Sequence, residues 1–167
     1  MVSFSNYAEW QDFFLGLDLA QGAPAIVTAK YNRALKLHLL SWIDIDIIKA
    51  GEITALTTLE LALKDRYGDK LRKDRNGNIS FNRLLRYMVE RDDLTDEKLK
   101  ICRRCGLGSV VKRLTGENEP SLADIRNNLA HGYPFDGLPQ SGLLEVVRDL
   151  IEYAYRHMIV EHPTQHP

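Results

Sequence analysis

With 167 residues, 44% of them hydrophobic and 27% charged, the chain has the make-up of one globular domain able to bury a core. No apolar run approaches the roughly 18 residues that a membrane-crossing helix needs, the N-terminus shows no basic stretch followed by an apolar one, and two cysteines do not make a disulfide scaffold. These features exclude a membrane-spanning and a disulfide-held reading and lead us to expect a cytoplasmic protein.

Ser5 is suited to cap a first helix running to Leu15, with Trp10, Phe13 and Phe14 on its apolar side, before the turn-like Gln21-Gly22-Ala23-Pro24. Residues 25–49 fit one helix through Tyr31, Leu35, Leu39, Trp42 and Asp46, although Ile43-Asp44-Ile45-Asp46-Ile47 alternates like a strand. Helix is the expected state, because the rest of the chain offers a strand no convincing partner. Ile53, Leu56, Leu59 and Leu63 recur at helical spacing between Glu52 and Tyr67, and Gly68 follows as a stop. Asp74-Arg75-Asn76-Gly77-Asn78 reads as a turn, and residues 80–90 as a helix with Phe81, Leu84, Leu85 and Met88 inward. Thr95 opens another, with Leu99 and Cys102 inward, which Gly106 and Gly108 break before a short segment at residues 110–114. Ser141 starts a last helix whose Leu143, Val146, Val147, Leu150, Ile151, Ala154 and Met158 form one apolar stripe, and the tail from Glu161 to Pro167 reads as frayed. Residues 1–167 are thus expected to form a single all-α domain, a bundle of four to five main helices with shorter additions and no dividing linker.

The net charge of −1 hides an uneven distribution: residues 1–63 carry −3, residues 64–113 carry +7 and residues 114–167 carry −5. Lys70, Arg72, Lys73, Arg75, Arg83, Arg86, Arg103, Arg104, Lys112 and Arg113 could guide a polyanion such as RNA, with Arg83, Arg86, Arg103 and Arg104 the named contacts. The alternative is a set of solvated helix faces. Cys102-Arg103-Arg104-Cys105 is a lone CxxC at a helix end, without the second ligand pair a structural zinc requires, and is expected to pack as free thiols. Asp44 with Asp46, and Asp92 with Asp93, lack the rest of a coordination set, so no metal is assigned.

The chemistry concentrates in Arg126-Asn127-Asn128-Leu129-Ala130-His131-Gly132-Tyr133. Arg is a permanent cation able to grip phosphate bidentately, and His both takes and gives a proton near neutrality. Ser121-x-x-Asp124 is a start signal, Gly132 and Pro134 are stop signals, and His131 is expected to close the short helix between them. Five residues on a helix amount to about 500 degrees, which leaves Arg126 and His131 some 140 degrees apart. For both to address one point, His131 must leave the regular helix. Glu60, an acid within Leu59-Glu60-Leu61-Ala62, would need a partner if buried, and Arg126 is the obvious one.

Arg126, the polar Asn127 after it and His131 resemble the R-x(4 to 6)-H motif of the HEPN superfamily, small all-helical proteins that include many metal-independent ribonucleases. With Tyr133 the run is similar to the R-x4-H-x-Y form of HEPN toxins paired with nucleotidyltransferase antitoxins, in which the tyrosine accepts AMP. The resemblance implies an endoribonuclease that needs no cofactor and acts as a homodimer, its two motifs facing one cleft. Arg126, His131 and Asn127 would be catalytic, Glu60 a supporting acid on an earlier helix, Tyr133 the AMP acceptor, and a nucleotidyltransferase antitoxin a partner. The Tyr133-Pro134-Phe135-Asp136-Gly137 loop and the basic insertion at residues 68–78 depart from the compact toxins. A non-catalytic module of the same type, binding RNA, a nucleotide or a protein, is the alternative expectation.

Overall fold

Eight α-helices and no strand are found among residues 4–106, 109–131 and 142–158, the part of the chain that this computed structural model describes. Helix α1 (Tyr7–Leu15) is capped by Asn6 rather than by Ser5. The Asn6 side chain accepts the Glu9 N–H, while Glu9 reaches back to the Ser5 N–H at 2.9 Å, so the cap falls one residue later than expected.

The expected helix over residues 25–49 is instead two helices, α2 (Ala25–Leu40) and α3 (Ile47–Tyr67). Between them the backbone tightens into successive short-range bonds: Ser41 N–H donates to the His38 and Leu37 carbonyls, Ile43 N–H to Leu40, and Ile47 N–H to Asp44. Neither glycine nor proline marks this turn. Ser41 stabilises it by donating its hydroxyl to His38 O at 2.6 Å, and Asp44 by accepting the Asp46 N–H. The alternating Ile43 and Ile45 are 80% and 58% exposed, so that pattern records neither a strand nor a core face.

Beyond the turn, α3 runs back along α2 and becomes the central element, packed against α2, α4 (Phe81–Glu90), α7 (Leu122–Ala130) and α8 (Leu143–Tyr155). Close approach to α2 depends on Gly51, where an added Cβ would stand 2.6 Å from Nδ1 of buried His38. The 74–78 turn is present as expected, with Asp74 Oδ1 accepting the Asn76 and Asn78 N–H groups. Ser80 caps α4 through the Arg83 N–H.

Thr95 begins a single 3-10 turn, Asp96–Lys98, rather than the longer helix expected, and α5 (Lys100–Cys105) follows, capped by left-handed Gly106. Leu99 and Cys102 are buried as expected, and α6 (Val110–Thr115) fills the short segment. Gly142 is the N-cap of α8, not Ser141, which lies outside the described residues together with Gly108 and the 161–167 tail. The α8 stripe holds from Leu143 to Ala154, but Met158 lies past the helix end and is half exposed. Buried apolar side chains from all eight helices join in one core cluster. Among the described residues, no helix is long and apolar enough to cross a membrane.

Candidate functional site

Helix α7 starts on a complete capping box. Ser121 Oγ accepts the Asp124 N–H at 3.1 Å, and Asp124 Oδ2 accepts the Ser121 N–H at 3.1 Å. Leu122, Ala123 and Ile125 are buried, which fixes the helix's rotation and sets Arg126 at the boundary between core and water. The half-buried guanidinium points at α3, where Nη2 donates to Glu60 Oε2 at 2.7 Å. Its Nη1 donates to Asn127 Oδ1 at 3.1 Å, and its Nε is buried with no hydrogen-bond partner. Glu60 is 9% exposed, so the acid within the apolar stretch of α3 is buried and carries the counter-charge it requires.

Sequence reasoning missed a second cation here. Lys64 Nζ lies 2.7 Å from Glu60 Oε1, so the two carboxylate oxygens are divided between Lys64 on α3 and Arg126 on α7. The signal was present, because a lysine four residues after a glutamate lies on the same helix face.

His131 is the C-cap of α7. Its φ of −99° and ψ of 7° leave the helical region, its N–H still donates to Asn127 O at 2.9 Å, and its side chain is exposed. Departure from the regular helix is the condition that the 140-degree projection imposed. The described hydrogen bonds bring Arg126, Asn127 and Glu60 together, whereas His131 enters them only through its backbone. Tyr133 lies outside the described residues.

The named arginines of the basic middle fall on two helices. Arg83 and Arg86, on α4, donate to the carbonyls of Arg72 and Thr115 at 2.8 Å each. On α5, Arg104 is ion-paired with buried Glu145 of α8, and Arg103 is exposed. All four side chains reach solvent, with three of them also tying local structure. Cys102 is buried, its thiol pushed up to about 11 chiefly by that burial, and Cys105 is exposed; both are free.

A further polar cluster escaped sequence reasoning because its acid, Asp92, lies in the charged run Glu90-Arg91-Asp92-Asp93 and not among apolar residues. Arg156, just past α8, forks both carboxylate oxygens of Asp92 at 2.8 and 2.9 Å, and Tyr67 of α3 donates to Asp92 Oδ2 at 2.6 Å. The Arg156 hydrogen bonds hold the Asp92 carboxyl below its ordinary value, and burial pushes the Tyr67 hydroxyl up.

Comparison with family models, curated proteins and solved structures finds no match for this chain. Fold and site therefore define its class: an all-α protein in which a short capped helix presents an arginine held by a buried carboxylate and ends on an exposed histidine.

Proposed function

We propose that this protein is a metal-independent endoribonuclease of HEPN type, acting as a homodimer. The observation that carries the reading is the state of Arg126: oriented by Glu60 and Asn127, partly open to solvent, on the helix that exposes His131 at its end. A guanidinium oriented before substrate arrives stabilises developing phosphate charge without reorganising. In the reaction the RNA 2'-oxygen bonds to the adjacent phosphorus and the P–O5' bond breaks. The 2'-hydroxyl loses its proton, the departing 5'-oxygen gains one, and a 2',3'-cyclic phosphate remains. His131 acts in that proton transfer, Arg126 stabilises the phosphorane-like charge, and Asn127 orients the arginine. Two motifs facing across a two-fold axis supply two such groups to one cleft.

The same ion pair favours the alternative, a non-catalytic module that binds RNA, a nucleotide or a partner protein, since a guanidinium joining α7 to α3 also serves as a strut. Cleavage of total RNA in excess EDTA separates the two. Endoribonuclease activity gives EDTA-resistant cleavage with 2',3'-cyclic phosphate ends, and intact RNA would leave the binding module as the better account. Light scattering tests assembly: the reading requires a dimer at micromolar concentration and fails on a clean monomer. A toxin role with a nucleotidyltransferase antitoxin, and AMP attachment at Tyr133, belong to the same proposal and are tested by the neighbouring gene.

A further inference from the structure

We propose that Lys64 is an RNA phosphate-binding residue of the same site, a role that rests on the ribonuclease reading. The motif that drew attention to Arg126 contains no lysine, and Lys64 enters through the carboxylate they share.

Glu60 requires one cation when buried and has two. Arg126 takes Oε2 and Lys64 takes Oε1, each at 2.7 Å, so the trio has a formal charge of +1. The three side chains grade outward, 12% exposed for Glu60, 25% for Arg126 and 43% for Lys64. The carboxylate is therefore the inner member and the ammonium the outermost, where an incoming polyanion meets it first. Lys64 is held one helical turn from Glu60, so its position is fixed by α3 while its remaining donors stay accessible to solvent. Arg126 and Lys64 sit on two oxygens of one carboxylate, close enough to serve one phosphodiester or two adjoining ones. Arginine supplies planar recognition and lysine a compact point charge. A solvated helix pair of the ordinary kind would end at water, whereas this one continues through the shared Glu60 carboxylate to a guanidinium on another helix.

The test uses the full chain and a fluorescein-labelled 2'-O-methyl oligonucleotide, which lacks the attacking hydroxyl and survives the assay. Fluorescence anisotropy across a salt series is measured for wild type, Lys64→Gln and Lys64→Arg, with thermal midpoints alongside. One phosphate contact on a single strand contributes about 0.7 to the slope of log affinity against log salt, equivalent to about fivefold in affinity near 0.1 M salt. Lys64→Gln is expected to lose that fivefold and that part of the slope, and Lys64→Arg to keep both. A shifted thermal midpoint with unchanged affinity and slope in Lys64→Gln would reduce Lys64 to a helix ion pair and overturn its role alone. Wild-type protein that does not bind the oligonucleotide overturns the RNA-binding premise together with Lys64.

Discussion

Of the carboxylate–arginine pairs that join distant parts of this chain, Asp92–Arg156 and Glu60–Arg126 are built differently. At Asp92 the guanidinium of Arg156 covers both oxygens, Tyr67 donates to one of them, and the arginine also donates to the Tyr153 carbonyl while its plane lies over the Tyr153 ring. At Glu60 the arginine reaches one oxygen, Lys64 holds the other, and Arg126 Nε is left buried without a partner. Contact with both oxygens suits a strut, because each further bond to Asp92 fixes the geometry. The Arg126 side chain keeps 25% of its surface in solvent, and that open part is where a substrate phosphate would meet it. Similar chemistry thus serves anchoring at one end of α3 and a proposed reaction nearer its middle.

Removing each arginine in turn should separate the two pairs. Arg126→Ala is expected to lower RNA cleavage at least about a hundredfold, because the charge-stabilising donor is lost, whereas Arg156→Ala should cleave at the wild-type rate. Chemical denaturation reverses the order. Arg156→Ala strips Asp92 of a bidentate partner and is expected to cost about 1–3 kcal/mol. Arg126→Ala should cost less, about 1 kcal/mol, because Lys64 still neutralises the buried Glu60. Equal cleavage losses in both variants would mean that Arg126 is also only a strut.

The pH dependence of stability separates the anchor from the rest of the core. His38 is held below 6.5, mainly by burial, against the smaller opposing effects of the Ala34 carbonyl and Glu52. The unfolded chain therefore binds a proton that the folded chain does not, and stability falls as pH drops below 6.5. Asp92 is held below 3.8, so its contribution is present above 3.8 and is lost as pH falls through its lower folded value. Arg156→Ala should flatten the limb below 3.8 and leave the limb below 6.5 intact, as read by urea midpoints across pH. The smallest expected effect is at Lys64. Lys64→Gln should cost only about 0.5 kcal/mol of stability, the size of an i,i+4 helix pair, while its effect on oligonucleotide binding stands apart from that loss.

Elements with strong periodicity or a side-chain cap could be read in the sequence. Leu84, Leu85 and Met88 behind Ser80, and Ile125 behind the Ser121 box, fall where those local rules put them. The break at residues 41–46 could not, because Trp42 and Ile43 continue an apolar pattern and the turn relies on Ser41 and Asp44 bonding to nearby backbone. Local signals are weak where the tertiary context decides, and Asn6 displaced Ser5 by the same kind of narrow competition. At the site, the pairing of Glu60 with Arg126 was legible only on the condition that Glu60 is buried, because an acid among leucines and alanine either faces water or needs a partner. Arg156 with Asp92 was not, since Asp92 stands in the charged run Glu90-Arg91-Asp92-Asp93, where an acid needs no partner to explain it.

If the proposed function holds, α7 carries chemistry at its end and not only packing along its side. His131 is exposed and contributes no described side-chain bond, so His131→Ala should leave helicity and thermal midpoint close to wild type. Single-turnover cleavage of RNA in excess EDTA by wild type and His131→Ala measures the claim directly. The account predicts EDTA-resistant cleavage by wild type, with cyclic phosphate ends, and a loss of about a hundredfold to ten-thousandfold in the variant. Wild-type rates in His131→Ala, or no cleavage by the wild-type protein, would contradict it.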